Sequence, residues 1–350
     1  MRICYIIPSK VKFGPNLVVL DLVKLMQERG HDVKVFYFDD VENEALIDFP
    51  CVVEKISLFH KINFDDYDVV HSHCLRPDAY VWLHKPRKSK THFVTTLHNF
   101  VEEDLKVTYN PFIAKVMSPL WMFLVRRHDK IVALSKTAVK YYQKWFDKNR
   151  LTYVYNTRKL DNVADLTKEE QKELYDFKGS SFLLGVNAGE TYRKGADQII
   201  RALPFLPNVK LFMVWRAPDR PDLRSLAKEL NVENQVLFAG FREDAYRYQK
   251  YYDAFVIPSR SEGFPLAMLE AVSLKCNMIS SDIPIFKEFF ANDEISFFHL
   301  EDIDSLVRAI QQAQQINKSE KAYQKYLKNF SPDVIAERYL AVYQGKELMD

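Results

Sequence analysis

Two carboxylates stand eight residues apart in the stretch Pro258-Ser259-Arg260-Ser261-Glu262-Gly263-Phe264-Pro265-Leu266-Ala267-Met268-Leu269-Glu270-Ala271. The run before it, Ala254-Phe255-Val256-Ile257, reads as a buried strand. Gly263 permits a tight or left-handed backbone, and Pro265 suits the first turn of a helix, where its missing N–H costs little. Glu262 is therefore expected in the loop at the strand's C-terminal end. Glu270 follows two helical turns later, on the order of 10 Å away. Open α/β sheets bind ligands at that end of their strands. A carboxylate among Leu266, Ala267, Leu269 and Ala271 is costly to bury without hydrogen-bond donors, and paired hydroxyls of a sugar or ribose would supply them. An amphipathic helix with two solvent-facing glutamates is the alternative reading.

The pattern Pro-Ser-x-x-Glu-Gly-Phe-Pro-Leu-x-x-Leu-Glu-Ala resembles the signature of the family 4 glycosyltransferases, the group 1 glycosyl transferases, which are retaining enzymes of the GT-B fold. The resemblance runs along most of the chain. Ile3 to Pro8, Gly14-Pro15-Asn16 and Arg29 to Val35 look like the opening strand, the acceptor-side glycine loop and the second strand. Further matches in order and spacing are Phe64 to His73, Thr95 to Asn99, Ile131 to Ser135, Lys194-Gly195, Val236 to Gly240 and Tyr252 to Ser259. Each is weak alone. Together they are specific.

The resemblance implies roles residue by residue. Glu270 would hold the ribose hydroxyls and Glu262 the sugar hydroxyls. Backbone amides around Gly263 and Phe264 would lie near sugar and phosphates, and Lys194 would face the diphosphate leaving group. His98 would sit at the N-domain edge near the donor sugar, there to orient a hydroxyl or assist charge development. Gly14 would let donor and acceptor approach closely, with Asn16 capping the helix that follows. Phe241 and Arg242 fall where the family contacts the nucleobase. The chain also departs from the pattern. The family places an arginine directly after a glycine at the end of the first C-domain strand, whereas this chain reads Gly185-Val186-Asn187-Ala188-Gly189. Arg193 is expected to replace that arginine in part, helped by the freedom of Gly189 and Gly195. No cofactor or metal is expected, because cationic side chains and amides would do a divalent ion's work. The expected partners are a nucleotide sugar such as a UDP- or GDP-sugar and a glycan or lipid-linked acceptor of cell-surface polysaccharide or lipopolysaccharide synthesis.

The elements that must position these residues follow from periodicity. Strand-like runs at Arg2–Pro8, Asp32–Phe38, Val69–Ser72, His92–Thr96, Lys130–Ala133 and Thr152–Tyr155 alternate with helical segments. A second set comprises Phe182–Val186, Lys210–Val214, Val236–Ala239, Ala254–Ile257 and Asn277–Ser280. Such alternation argues for parallel sheets with crossover helices. The expected class is α/β, a GT-B arrangement of two doubly wound Rossmann-like domains facing across a cleft. An N-terminal acceptor domain would span 1–162, a nucleotide-sugar domain 163–330, and a helix at 331–350 would return to the first, with Ser331 as N-cap and Pro332 in its first turn.

Composition narrows the classes. Nearly half of the 350 residues are hydrophobic and about a quarter charged, as in a soluble globular protein. No apolar run approaches the length of a spanning helix, and Met1-Arg2-Ile3 leads straight into a strand, so a signal peptide is not expected. Cys4, Cys51, Cys74 and Cys276 have no paired spacing, which argues against a zinc site or disulfide framework. The cytoplasm fits best. His71 and His73 lack carboxylate or cysteine neighbours at ligand spacing and read as strand-end histidines with backbone partners. Ser135 reads as a helix N-cap rather than a nucleophile.

The net charge of +2 conceals an asymmetry, with 23 basic against 18 acidic residues over 1–155 and 26 against 29 over 156–350. The excess includes Lys85, Arg87, Lys88 and Lys90, and Arg126-Arg127 after the aromatic-rich segment Phe112 to Val125. Such a surface suits anionic headgroups and peripheral contact at the inner membrane face. The family's equivalent segments are ordinary core helices. A near-neutral balance without a recognition motif argues against nucleic acid. Epimerase and phosphorylase readings of the same architecture lack a second carboxylate cluster or a lysine–phosphate cofactor signature. A non-catalytic sugar-nucleotide-binding protein is the remaining alternative.

Overall fold

The computed structural model describes residues 1–348 apart from 43, 161, 188–191 and 216–220. The chain divides into two units, one of residues 1–159 and 329–350, the other of residues 160–328. These divisions fall slightly before the positions 162 and 330 read from sequence. The expected substitution site at Ala188 and the glycine at 189 lie outside the described residues.

The first unit opens with β1 (Arg2–Ser9), α1 (Gly14–Glu28), β2 (Asp32–Asp39) and β3 (Val52–Lys55). It continues through β4 (Val69–His73), α2 (Leu75–His84), β5 (His92–Leu97), α3 (Val101–Thr108) and α4 (Pro111–Val125). β6 (Lys130–Ala133), α5 (Lys136–Tyr142) and β7 (Leu151–Tyr153) complete a seven-stranded sheet of order β3-β2-β1-β4-β5-β6-β7. Every pairing recorded in it is parallel. Covered on both faces, its central strands are near-continuous apolar runs, which is why they are legible in sequence. Ile3, Ile6, Val70 and Phe93 are fully enclosed, each worth about 1.5–3 kcal/mol of burial.

The second unit comprises α6 (Lys168–Lys178), β8 (Phe182–Asn187), α7 (Ala196–Ala202), β9 (Val209–Val214), α8 (Pro221–Glu229), β10 (Val236–Gly240) and β11 (Ala254–Ile257). It continues with α9 (Leu266–Ser273), β12 (Met278–Ser281), α10 (Pro284–Phe289), β13 (Ser296–Phe298), α11 (Ile303–Gln315) and α12 (Ser319–Asn329). Its sheet is six-stranded and parallel, of order β10-β9-β8-β11-β12-β13. Ile199 and Ile200 of α7, and Leu306 and Ile310 of α11, close one face over Leu211, Val256 and Ile279.

A final helix, α13 (Pro332–Tyr343), belongs to the first unit. Ser331 holds the N-cap backbone geometry and Pro332 opens the helix. Tyr343 reaches into the first sheet, its hydroxyl 2.9 Å from that of Tyr5. Among the described residues no helix is long and apolar enough to cross a membrane.

Both sheets have one feature that matters for a site. In the first, the chain runs outward from β1 through β2 to β3, then restarts at β4 on the other side. In the second it runs outward from β8 through β9 to β10, then restarts at β11. The loops leaving β1 and β4, and those leaving β8 and β11, therefore diverge at a switch point, where such folds bind ligands.

Candidate functional site

At the switch point of the second unit, two segments are laced together. The amide of Arg260 donates to the carbonyl of Arg193 at 2.8 Å, and the Gln198 side chain donates to the carbonyl of Pro258 at 2.8 Å. The Arg260 guanidinium forks onto both oxygens of Asp197 at 2.9 Å, bonds Glu301 and the Tyr192 carbonyl, and lies over the Tyr192 ring. Gly195 sits at φ +68°, and a Cβ there would fall 2.0 Å from the Pro258 carbonyl oxygen. The expected looseness at Gly195 is thus corrected. This glycine is the left-handed N-cap of α7, pressed against the neighbouring loop.

The lacing aims two cations at one carboxylate. Glu262 is only 5% exposed. Lys194 Nζ donates to its Oε1 at 2.7 Å, Ser259 Oγ donates to the same oxygen at 2.6 Å, and Arg193 lies 3.5 Å from Oε2. Arg193 also donates to the Ser261 carbonyl at 2.9 Å. Burial pushes the Glu262 carboxyl up, but Lys194, Arg193 and the two hydrogen bonds outweigh it and leave it below the usual carboxylate range. Such an arrangement holds a buried anion ready to accept hydroxyl hydrogens, beside cations partly open to solvent.

The other sequence candidates of this unit distribute as follows. Glu270 lies half-buried on α9, past Glu262 in the same loop-to-helix passage. Pro265 is the N-cap of α9, one position before the first turn expected for it. Gly263 lies in the connecting loop outside the left-handed region. The Phe264 ring is buried against Phe289 at 4.3 Å between centroids, so the side chain serves the core. Phe241, just past β10, is 53% exposed, while Arg242 is held by Glu173 at 2.9 Å. Asn187 is turned away, donating to the Ala245 carbonyl at 3.0 Å.

In the first unit, Gly14 opens α1 with a backbone any residue could adopt, and a Cβ there would meet nothing within 4 Å. Asn16 does not cap the helix. Phe13 occupies the N-cap, and Asn16, fully buried one turn in, donates to the carbonyls of Ser9 at 2.7 Å and Val11 at 2.9 Å. Its side chain thereby fixes the loop leaving β1. Its Oδ1 remains without a partner.

His98 follows directly on β5 and meets a histidine. Its Nε2 lies 2.9 Å from Nδ1 of His73. Successive strand residues face opposite ways, so His71 and His73 share one face of β4 and Ser72 takes the other. His71 Nδ1 is 2.9 Å from the Tyr343 hydroxyl and its Nε2 is 2.8 Å from Thr96 Oγ1. The expected backbone partners of these histidines are therefore wrong; the partners are side chains from β5, α13 and His98. His73 Nε2 is buried with no partner. On the opposite face, Ser72 and Thr95 each donate to Asp78 at 2.7 Å, Trp121 donates to its other oxygen at 2.7 Å, and His128 Nε2 lies 2.8 Å from Ser72 Oγ. Burial pushes His98 and His128 down to about 3, holds His71 and His73 well below the ordinary range, and raises Asp78 to about 6. Sequence reasoning missed Asp78 and His128; the one available signal was an acid between apolar residues of α2.

Ser135 is the N-cap of α5, its Oγ accepting from the Ala138 amide at 2.9 Å. Among the described residues no group of three or more His, Cys, Asp or Glu converges to hold a metal ion.

Comparison with known proteins adds what geometry cannot. Residues 167–330 match the model described as glycosyl transferases group 1, and residues 14–161 match glycosyltransferase family 4. An O-antigen biosynthesis glycosyltransferase, WclY of Escherichia coli, is 30% identical over 99% of this chain and 98% of its own. The Escherichia coli UDP-Gal:alpha-D-GlcNAc-diphosphoundecaprenol alpha-1,3-galactosyltransferase is 26% identical over 85% of this chain and 79% of its own. Among solved structures, Anabaena Alr3699/HepE in complex with UDP and glucose superposes with a TM-score of 0.81 at 16% identity, covering 98% of this chain and 99% of that one. Two parallel-sheet units, each with a switch point in its strand order, are thus the two halves of a GT-B fold, and the chain is a glycosyltransferase belonging to the group 1 glycosyl transferases.

Proposed function

We propose that the chain moves a hexose-type sugar from a nucleoside-diphosphate donor to a glycan or lipid-linked acceptor, with retention at the anomeric carbon and without a divalent metal. The observation that carries this is the convergence of Arg193 and Lys194 on the buried Glu262 carboxylate at 3.5 and 2.7 Å. In the free protein each charge satisfies the other, which removes the penalty of a lone buried anion. A donor would separate them. Its sugar hydroxyls take over as donors to Glu262, and its phosphates take up the two cations.

Negative charge builds on the departing diphosphate as the anomeric carbon becomes oxocarbenium-like. Lys194 and Arg193 stabilise that charge without a metal. The leaving phosphate accepts the acceptor hydroxyl's proton, and His98 orients a sugar hydroxyl. Its ring stays neutral under ordinary conditions, since burial pushes it down to about 3. Glu270 holds the ribose, the amides of Gly263 and Phe264 lie along sugar and phosphates, and the exposed Phe241 ring offers a stacking face to the base. Gly14 and the loop fixed by Asn16 leave room for the acceptor. Surface-polysaccharide or lipopolysaccharide synthesis at the cytoplasmic side fits the relatives, one of which is named for a diphosphoundecaprenol acceptor.

A panel of UDP- and GDP-sugars tested for thermal stabilisation identifies the donor, since a ligand at a hundred times its Kd adds about 2.7 kcal/mol. Release of nucleoside diphosphate in the presence of acceptor, with the product's anomeric configuration read by NMR, tests turnover and retention. Stabilisation without release under any acceptor would favour a binding protein. No stabilisation by any donor would remove the reading.

A further inference from the structure

Helix α4 presents a face that its own unit leaves open. Phe112 is 77% exposed, Val116 54%, Leu120 46% and Phe123 50%. Steps of four, four and three residues place these side chains on one stripe of the helix. The opposite stripe, Ala114, Ser118, Met122 and Val125, is buried. The apolar face continues onto the end of α2, where the Trp82 ring lies 5.8 Å from Phe123 and Leu83 is 48% exposed. A solvated surface helix would carry its polar residues on this stripe. Scattered exposed apolar residues need no explanation, but a contiguous row of this kind marks an interaction surface.

Charge says what covers it. From residue 105 to residue 128 the chain contains no Asp or Glu. Lys115 is exposed within the row and Arg126 at its C-terminal end. Arg87, Lys88 and Lys90 are exposed in the loop after α2. That loop is fastened to the end of α4 by the Arg127 guanidinium, which donates to the carbonyls of Trp82 and Lys85. Two of the three acids of neighbouring α3 are occupied, Glu102 and Glu103 lying 3.0 and 3.2 Å from Lys106. An apolar row edged by exposed cations complements a surface that is anionic outside and hydrocarbon beneath. At 15 residues, α4 is about 22 Å long. That is shorter than the roughly 30 Å hydrocarbon core, so the helix cannot span it. Its sidedness instead suits lying in the interface plane.

We propose that this face of α4, extended by the end of α2, docks the first unit onto an anionic lipid bilayer, with Phe112 and Phe123 entering the acyl boundary and Lys115, Arg126 and the loop after α2 meeting the headgroups. The inference is independent of donor chemistry and concerns where the enzyme works. A lipid-linked acceptor would then be met at the surface that holds it.

Flotation of the full chain with vesicles of phosphatidylcholine, with and without phosphatidylglycerol, tests it. The chain should float with the anionic vesicles. The double variant Phe112→Ser/Phe123→Ser should lose binding by an order of magnitude or more, with an unchanged melting temperature because both rings lie outside the core. Lys115→Glu and Arg126→Glu should each weaken binding by about fivefold and erode the preference for phosphatidylglycerol. Failure of the wild-type chain to float, or equal flotation of the aromatic double variant, overturns the proposal. So does a lipid-free dimer, seen by sedimentation, that the double variant dissociates, since the occupant would then be a second copy. Nucleoside diphosphate release with a water-soluble acceptor should survive the double variant, which separates this test from the transferase reading.

Discussion

Acidification should destabilise the first unit well before its exposed carboxylates are protonated. His71, His73, His98 and His128 all have folded values depressed by burial below the ordinary 6.5. A depressed histidine contributes stability that is present above the unfolded value and lost as pH falls towards the folded one, here from 6.5 towards about 3 for His98 and His128. Between pH 7.5 and 5.5 a histidine that stays neutral in the fold costs on the order of 1 kcal/mol, and all four act in the same direction. Asp78 and Asp21 act in the opposite direction. Burial raises both to about 6 in the fold, so each takes up a proton in the fold first and offsets part of that loss over the same window. A net loss of about 2–4 kcal/mol is a large part of the stability of a small domain. Urea unfolding followed by tryptophan emission suits the measurement, because Trp82, Trp121 and Trp145 lie in this unit and Trp215 alone in the other. The midpoint should fall by about 1–2 M between pH 7.5 and pH 5.5 at constant salt. A midpoint that stays level over that range would refute the reasoning, because it would mean that the histidines charge inside the fold at no cost.

Four further outcomes are expected. Lys194→Ala should lower turnover by about 10²–10³, Arg193→Ala should cost nearly as much, and the double variant should fall short of the product because both cations act on one diphosphate; near-normal single-turnover rates for both would dismiss the diphosphate assignment. Glu270→Ala should weaken nucleoside diphosphate binding by about 1.5–3 kcal/mol in calorimetry, whereas Glu262→Ala should spare nucleotide affinity and lower turnover. Gly195→Ala should destabilise the second unit by at least about 1–2 kcal/mol, since its Cβ meets the Pro258 carbonyl, while Gly14→Ala should leave the melting temperature unchanged and raise the acceptor KM. Activity should persist in a chelator, because Asp39 and Asp40, the acid pair nearest a strand end, are engaged by Arg76 at 2.5 Å and Lys55 at 2.7 Å; restoration of lost activity by magnesium or manganese would contradict this.

The sequence alone determined whatever rests on local pattern. Central parallel strands are buried on both faces, so β1, β4, β5, β8 and β11 announce themselves as apolar runs. The edge strands β3 and β13 were not legible. Val52–Lys55 is half solvated and Ser296–Phe298 is three residues long, so neither carries a periodic signal. Ser135 and Ser331 were readable as caps because a cap is set by its own few residues. Asn16 was misread for the same reason, since its amide serves carbonyls of the preceding loop rather than the helix it enters. Tertiary structure decided the rest. Whether Arg193 faces solvent or Glu262 depends on a loop 68 residues later in the chain, tied to it by Arg260, Gln198 and the tight approach of Gly195. The partners of His71 and His73 come from β5, α13 and the end of β5, and the helix that supplies Tyr343 lies 272 residues away. Periodicity fixes which way a side chain points from its own strand or helix; it carries no record of which distant group the fold will bring within 3 Å of it.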